Sequence, residues 1–369
     1  MAKQRDDRPL FTPELPMTHE RYPFDMKADE INEWIPVFAE SDAGKRPDHP
    51  TTNFRLPEYH SFEEYSEILK DHFIMKCRDG IVEARAYTPG EPDGWIWGTA
   101  PHAWVHKMFQ LVHEDHDAEV LIFGSVGKNY FNDQRSIGLC DCYRDTSKPF
   151  QPVDEFQRGQ MWQAFQHQYQ DGTNDIEEEV NIEIPTIGVW QGGAFHSDLF
   201  LFCDITIATE DAWMAENHFR INMYPGDGVQ IIWRMLMGQK RFAYAELTGE
   251  IITARKALEY GMINEIAKDV DTAWKRSWEI AELIMHSGTR QTRRLTVQCI
   301  RKPVKEAVAD ELKMGFATEM WNTITEQSPH APIYWQTAKA QAREVMAAEK
   351  QGKVVRPRIG KFIVEDIIK

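Results

Sequence analysis

Two histidines and an aspartate stand where a plain apolar core has no use for them. His196 opens a strongly apolar stretch, His218 follows a short strand-like run, and Asp227 lies inside the tight turn Pro225-Gly226-Asp227-Gly228. An imidazole titrates at about pH 6.5 when unperturbed, so it can take a proton from water at neutral pH and return it later. A carboxylate on the other ring nitrogen fixes the tautomer and steadies the imidazolium. A further imidazole can donate a hydrogen bond to an oxygen that gains charge. Residues of these types suit attack by activated water.

Such groups need short, stiff elements to aim them. Ile184–Trp190 and Asp204–Thr209 are apolar runs that fit buried strands, and between and after them come helical-period segments broken by Gly and Pro. The alternation predicts a β/α spiral. Upstream, Phe73–Tyr87 reads as a hairpin turning at Asp79-Gly80. Residues 88–117 run from a loop into an amphipathic helix, and Glu119–Gly124 is a buried strand. Ser61 with Glu64 forms a capping-box start for a helix over Ser61–Lys70. From Asp271 onward the pattern is helical, over 272–288 and then 291–324. The chain thus divides into an N-terminal extension, 1–70, whose Pro-rich and aromatic composition suits an arm packed over another surface; a spiral core, 71–275; a helical region, 276–330; and a C-terminal extension, 331–369.

The ordered motifs carry a resemblance. Gly192-Gly193, the CDITIATE segment Cys203–Glu210, the PGDG turn and the LTGEIITARKALEYGMINEI run Leu247–Ile266 follow one another as in the crotonase (enoyl-CoA hydratase/isomerase) superfamily. The resemblance covers about residues 73–326 and implies an α/β crotonase-type ββα spiral with a C-terminal helical trimerisation region. At a finer level the chain is similar to the 6-oxocamphor hydrolase-like β-diketone hydrolases. His196 stands eight residues before Asp204, at a glycine of the hydratase oxyanion turn. His218 stands nine residues before Asp227, at the second catalytic Glu of hydratases.

That likeness implies cleavage, by water, of the C–C bond between two carbonyls of a cyclic 1,3-diketone, a retro-Claisen reaction giving a keto acid. No cofactor is implied, because the second carbonyl is itself the electron sink. His218 is then the base and Asp227 its orienting carboxylate. His196, at a helix entrance that favours negative charge, stabilises the enolate. Trp97 and Glu319 are implied to bind substrate oxygens, with His102 as a further pocket residue. Asp198 falls at the first catalytic Glu of hydratases; a residual acid role is open to it, beside a solvated or structural one. In the loop GSVGKNYFNDQRSIG, Asn132-Asp133 replaces the small pair of CoA enzymes, which departs from a site for a thioester oxygen. The helix expected over 154–170 would cap the pocket or serve an oligomer contact.

Composition sets outer bounds. A net charge of −16 argues against nucleic acid, which needs a positive stripe. Five cysteines without framework spacing suit a reducing compartment, and Cys140 and Cys142 lack a second pair for zinc. With neither an apolar leader nor a span-length apolar window, a cytoplasmic protein without membrane or metal is expected. The expected partners are the small diketone and other copies of the chain, as a homotrimer or a dimer of trimers. Two other readings compete: a CoA-thioester hydratase, isomerase or lyase using Asp198, and a non-catalytic scaffold of the same shape.

Overall fold

The computed structural model describes residues 59–90, 94–97, 99–127, 169–326 and 331–357. The expected arm before Tyr59, the loop beyond Gly127, the helix expected at 154–170 as far as residue 168, and the last residues of the tail lie outside them. The described elements all belong to one compact unit, His60–Lys369.

Helix α1 (Phe62–Leu69) starts at the capping box: Ser61 N donates to Glu64 Oε2 (2.8 Å) and Glu64 N donates to Ser61 Oγ (3.3 Å). Its Tyr65 and Leu69 are buried. Strands β1 (Phe73–Arg78) and β2 (Ile81–Ala86) pair antiparallel. Between them Asp79 (φ 52°) and Gly80 (φ 81°) both take positive φ, the backbone of a two-residue turn that suits strand twist. A Cβ on Gly80 would lie 2.7 Å from the Glu119 side chain, so the turn also requires glycine sterically. Helix α2 (Thr99–Glu114) leads to β3 (Val120–Ser125), and α3 (Gly172–Asn181) leads to β4 (Thr186–Trp190).

Beyond β4 come the two-residue β5 (Gly193–Ala194), one turn of helix α4 (Asp198–Leu201), β6 (Ile205–Thr209), β7 (Trp213–Met214) and a 3-10 turn, Phe219–Ile221. The apolar helix expected after His196 is therefore far shorter than its hydrophobicity suggested. Asp204, held by Thr186 N (2.8 Å) and by Arg301, fixes where β6 must begin. Thr206 Oγ1 donates back to Phe200 O at 2.6 Å, tying the end of the turn. Helices α5 (Val229–Met237) and α6 (Gln239–Thr248), β8 (Ile252–Thr253), α7 (Ala254–Tyr260) and β9 (Glu265–Ala267) complete the spiral. Then α8 (Val270–Ser287), the long α9 (Arg290–Glu326) and α10 (Ala331–Glu349) follow.

The main sheet has order β1-β2-β3-β4-β6-β9, parallel from β2 onward, and a small sheet β5-β7-β8 stands apart from it. Strands β3 and β4 are buried along their whole length, as parallel strands covered on both faces must be. Their alternation sorts two cores. Leu121 and Phe123 join Phe109, Trp190, Phe200 and Trp233 on one face, while Val120, Ile122, Ile187 and Val189 meet Trp274 and Ile280 of α8 on the other. A third cluster joins Phe195, Trp213 and Ile251 to Ala338, Ala342 and Val345 of α10. Among the described residues no helix is long and apolar enough to cross a membrane.

Candidate active site

The small sheet and the PGDG turn bring the two histidines and the aspartate together. His196 follows β5 by two residues. His218 follows β7 and opens the 3-10 turn, and Asp227 precedes α5, where Gly228 (φ 104°) reverses the chain. Asp227 Oδ1 accepts from Val229 N (3.3 Å), which leaves Oδ2 to face both rings. It lies 3.3 Å from His196 Nδ1 and 3.5 Å from His218 Nε2.

Glu319, far along α9, reaches the same place. Its Oε2 accepts from Gly226 N at 3.2 Å and its Oε1 lies 3.9 Å from His218 Nε2. Helix and turn meet glycine to glycine: a Cβ on Gly226 would stand 2.2 Å from Gly315 O. Trp97 lays its ring over His196 (centroids 4.3 Å apart, tilted 32°) and meets His102 edge-on at 4.5 Å. All six residues singled out from the sequence, His196, His218, Asp227, Trp97, His102 and Glu319, are thus buried in one cluster.

Two partners escaped the sequence reading. The carboxylate on the far nitrogen of His218 is Glu216, not Asp227: Glu216 Oε1 lies 2.5 Å from His218 Nδ1 and accepts from His218 N at 2.7 Å. Asp227 is on the Nε2 side, so the carboxylate that holds the ring through Nδ1 is Glu216. The Glu216-x-His218 spacing was the available signal, since a glutamate two residues back can curl onto the histidine's own backbone N–H. Asp175 of α3 holds His102 Nδ1 at 2.9 Å, and nothing in the local sequence marks a partner 73 residues away. Asp198, for which a solvated place was open, is 3% exposed, with Oδ1 3.6 Å from His196 Nδ1.

Burial and charge set these groups apart electrically. Burial pushes His196 down to about 4, only partly opposed by Asp227. Burial, with His196 adding to it, holds His102 well below the ordinary histidine range. Both rings are therefore neutral near pH 7. For His218 burial acts in the same direction, but Glu216, Asp227 and Glu319 outweigh it and hold the imidazolium form well above the usual range. Burial raises Asp198 to about 7, raises Asp227 against the pull of His218, and puts Glu319 well above an ordinary carboxyl. Glu246 of α6, raised by burial to about 8 with Glu216 adding to it, has both carboxyl oxygens buried without a hydrogen-bond partner among the described residues.

Chemically, the arrangement offers a histidine with one nitrogen fixed and the other facing the site, a neutral imidazole as donor, and a carboxyl, Asp198, raised by burial to about 7. Two overlapping sets, His196-Asp198-Asp227 and His218-Asp227-Glu319, have possible ligand atoms within 4.8 Å of one another and could gather around a cation. A cation in the second set would occupy the nitrogen of His218 that faces the site.

A family model described as enoyl-CoA hydratase/isomerase matches residues 153–328. The probable peroxisomal enoyl-CoA hydratase 1 of Arabidopsis thaliana is 25% identical over 175 residues, 47% of this chain and 61% of that protein. The chain therefore spans less than two thirds of that relative's length. Among solved structures, a β-diketone hydrolase from the cyanobacterium Anabaena sp. PCC 7120, bound to (S)-3-oxocyclohexyl acetic acid, is similar with a TM-score of 0.60 and 21% identity, over 73% of this chain and 98% of that one. An enoyl-CoA hydratase/isomerase from Mycobacterium paratuberculosis matches with a TM-score of 0.57 and 18% identity, over 73% and 98%. An enoyl-CoA hydratase from Bacillus halodurans matches with 0.57 and 16%, over 73% and 99%. At these identities the likeness is one of fold.

Proposed function

We propose that this chain, whose residues 153–328 match the enoyl-CoA hydratase/isomerase family model, is a crotonase-superfamily hydrolase cleaving the C–C bond between the carbonyls of a cyclic 1,3-diketone to give a keto acid. The observation that carries this reading is the Glu216–His218 pair, at 2.5 Å, beside a second, neutral histidine. His218, once deprotonated at Nε2, takes a proton from water, and Glu216 stabilises the imidazolium that forms. The hydroxide adds to one carbonyl carbon. The C–C bond then breaks, its electrons passing to the other carbonyl as an enolate. His196, neutral and steadied by Trp97, donates to that oxygen; one such donor is typically worth about 2.7–4 kcal/mol of barrier. Asp227 Oδ2 shares the proton of His218, Glu319 and Trp97 frame the diketone, and His102, its tautomer set by Asp175, closes the far side. The scheme uses only the chain's own residues.

A thioester reaction is the second reading. It is favoured by the enoyl-CoA hydratase relatives and by Asp198, whose carboxyl is inside the cluster and titrates near neutrality. A panel of cyclic 1,3-diketones and enoyl-CoA esters separates the two. Loss of the diketone ultraviolet band with formation of a carboxylic acid is the expected result, and turnover confined to thioesters would replace this reading with the second. Self-association, as a trimer or dimer of trimers, is proposed along α9, whose Ile300, Met314 and Trp321 are exposed and face nearly the same way. Sedimentation at micromolar concentration checks it. A reducing, cytoplasmic setting fits the free Cys77, Cys203 and Cys299.

A further inference from the structure

The hydrolysis leaves a problem of proton accounting. Water gives up one proton to His218, and the bond that breaks leaves an enolate that must gain one at carbon. These events lie on opposite sides of the scissile bond, so the site needs an acid on the enolate side and a way to restore it.

Asp198 has the attributes of that acid. It is the first residue of the α4 turn, 3% exposed, and its Oδ1 has no hydrogen-bond partner among the described residues. An orphaned buried carboxyl oxygen is costly, and this one lies on the side of His196, the donor to the enolate oxygen. Its polar neighbour in the site, His196 Nδ1, is 3.6 Å away, longer than a hydrogen bond. From His218 a file of groups leads back to it. Nε2 of His218 is 3.5 Å from Asp227 Oδ2, that oxygen is 3.3 Å from His196 Nδ1, and Nδ1 is 3.6 Å from Asp198 Oδ1. The Asp198 and Asp227 oxygens are themselves within 4.8 Å. Each gap is one that a small approach closes, and no lysine or arginine among the described residues pairs with either carboxyl to hold it ionised.

We propose that Asp198 is the acid that protonates the departing enolate at carbon, and that Asp227 carries the proton from His218 back to Asp198 past His196 Nδ1. The inference rests on the hydrolase reading. In balance, the Asp198 O–H bond breaks and a C–H bond forms on the enolate carbon, leaving the Asp198 carboxylate. The proton that His218 took from water passes to Asp227 and then to Asp198, and the enzyme ends as it began. One water is consumed and no oxidant or second substrate is required.

The test is hydrolysis in D2O of a 1,3-diketone whose product gains a prochiral CH2, followed by rapid quench and by NMR of the product. The wild type is expected to place its deuteron on one face of that carbon. Asp198→Asn is expected to consume the first equivalent of diketone within about threefold of the wild-type rate, then to turn over about 10²-fold or more slowly, with deuterium on both faces as water replaces the acid. Asp198→Ser, read in the same way, keeps the test open if the asparagine variant does not melt like the wild type. Single-face deuteration by either variant, or equal loss in the first and later turnovers, overturns the proposal and assigns Asp198 a structural place. A wild type that leaves every diketone intact overturns instead the hydrolase reading beneath it.

Discussion

Helix α9 carries buried charge past two regions of the molecule that treat it in opposite ways. At its first half Arg301 grips Asp204 through Nε (2.7 Å) and Nη2; Nη2 also lies 3.0 Å from both Ile184 O and Thr186 Oγ1, and Nη1 donates to Ile182 O. Glu119, at the start of β3, is likewise met by Arg293 and, at 3.7 Å, by Arg290. About 27 Å further along the same helix, at about 1.5 Å per residue, Glu319 enters a cluster where Glu216, Asp227 and Asp198 find histidines and one another. No lysine or arginine among the described residues joins them. A guanidinium never releases its proton under ordinary conditions, so the first region is fixed in one charge state and serves to hold α9 on the sheet. The second region is left with groups that titrate. Buried charge with a permanent partner positions; buried charge without one can react.

The sharpest way to break this contrast is to remove the single group that the carboxylates of the site converge on. His218→Ala is expected to lower kcat for diketone hydrolysis by about 10²–10⁴-fold, the usual worth of a general base, measured on protein that circular dichroism shows to be folded. Undiminished hydrolysis would return the base role to another group. Removing the permanent partner instead should cost stability. Arg301→Met leaves Asp204, whose side chain is 10% exposed, without its ion pair and held only by Thr186, and up to about 3–5 kcal/mol of unfolding free energy should be lost. Adding Asp204→Leu should recover part of it, since the stranded charge goes too. Urea unfolding of the single and double variants decides this.

How much of this could be read beforehand differs between the two regions. The hairpin turn at Asp79-Gly80, the capping box at Ser61 and the strands β3, β4 and β6 announce themselves, because turn chemistry and short apolar runs are local. Cluster residues recognised by motif, His196, His218 and Asp227, needed only the order of the motifs. The Arg301–Asp204 grip and the Asp175–His102 pair were invisible, since each joins residues far apart in the chain whose types are common. Glu216 was overlooked for another reason. Asp227 was already available as a carboxylate, and only geometry reveals that its oxygen faces Nε2 while Glu216 has Nδ1. The short α4 shows tertiary contacts overriding an apolar stretch: Asp204 had to reach Arg301, so the helix gave way.

That reassignment makes a prediction about pH. In the proposed reaction His218, acting as base, must first lose its proton, and the surrounding carboxylates hold its pKa above the ordinary value. The acidic limb of kcat/KM for the wild type should therefore lie above pH 6.5. Glu216→Gln removes the first of the carboxylates that raise it, so the limb should move to lower pH while kcat falls. Asp227→Asn should move it less, Asp227 ranking after Glu216 among the causes. A limb that stays put in Glu216→Gln would mean that the 2.5 Å contact does not control the titrating group.

The smallest effect concerns stability itself. Asp198 titrates at about 7 in the folded chain because burial penalises its charge, against 3.8 as the reference value. The folded state thus binds a proton that the unfolded chain has already released between those two values. Stability drawn from this group is full below about pH 3.9 and falls as pH rises toward 7, by at most about 1.4 kcal/mol per unit. Asp198→Asn cannot release that proton, so relative to the wild type it should gain stability from pH 5 to pH 8. Urea unfolding at the two values measures the gain. His218 also loses stability with rising pH, as a cation leaving its carboxylates, but that loss begins near the unfolded histidine value of about 6.5 and is common to both proteins. The difference between them from pH 5 to 6 therefore belongs to Asp198. No gain between pH 5 and pH 7 would mean that burial does not hold the carboxyl at 198 protonated in the folded chain.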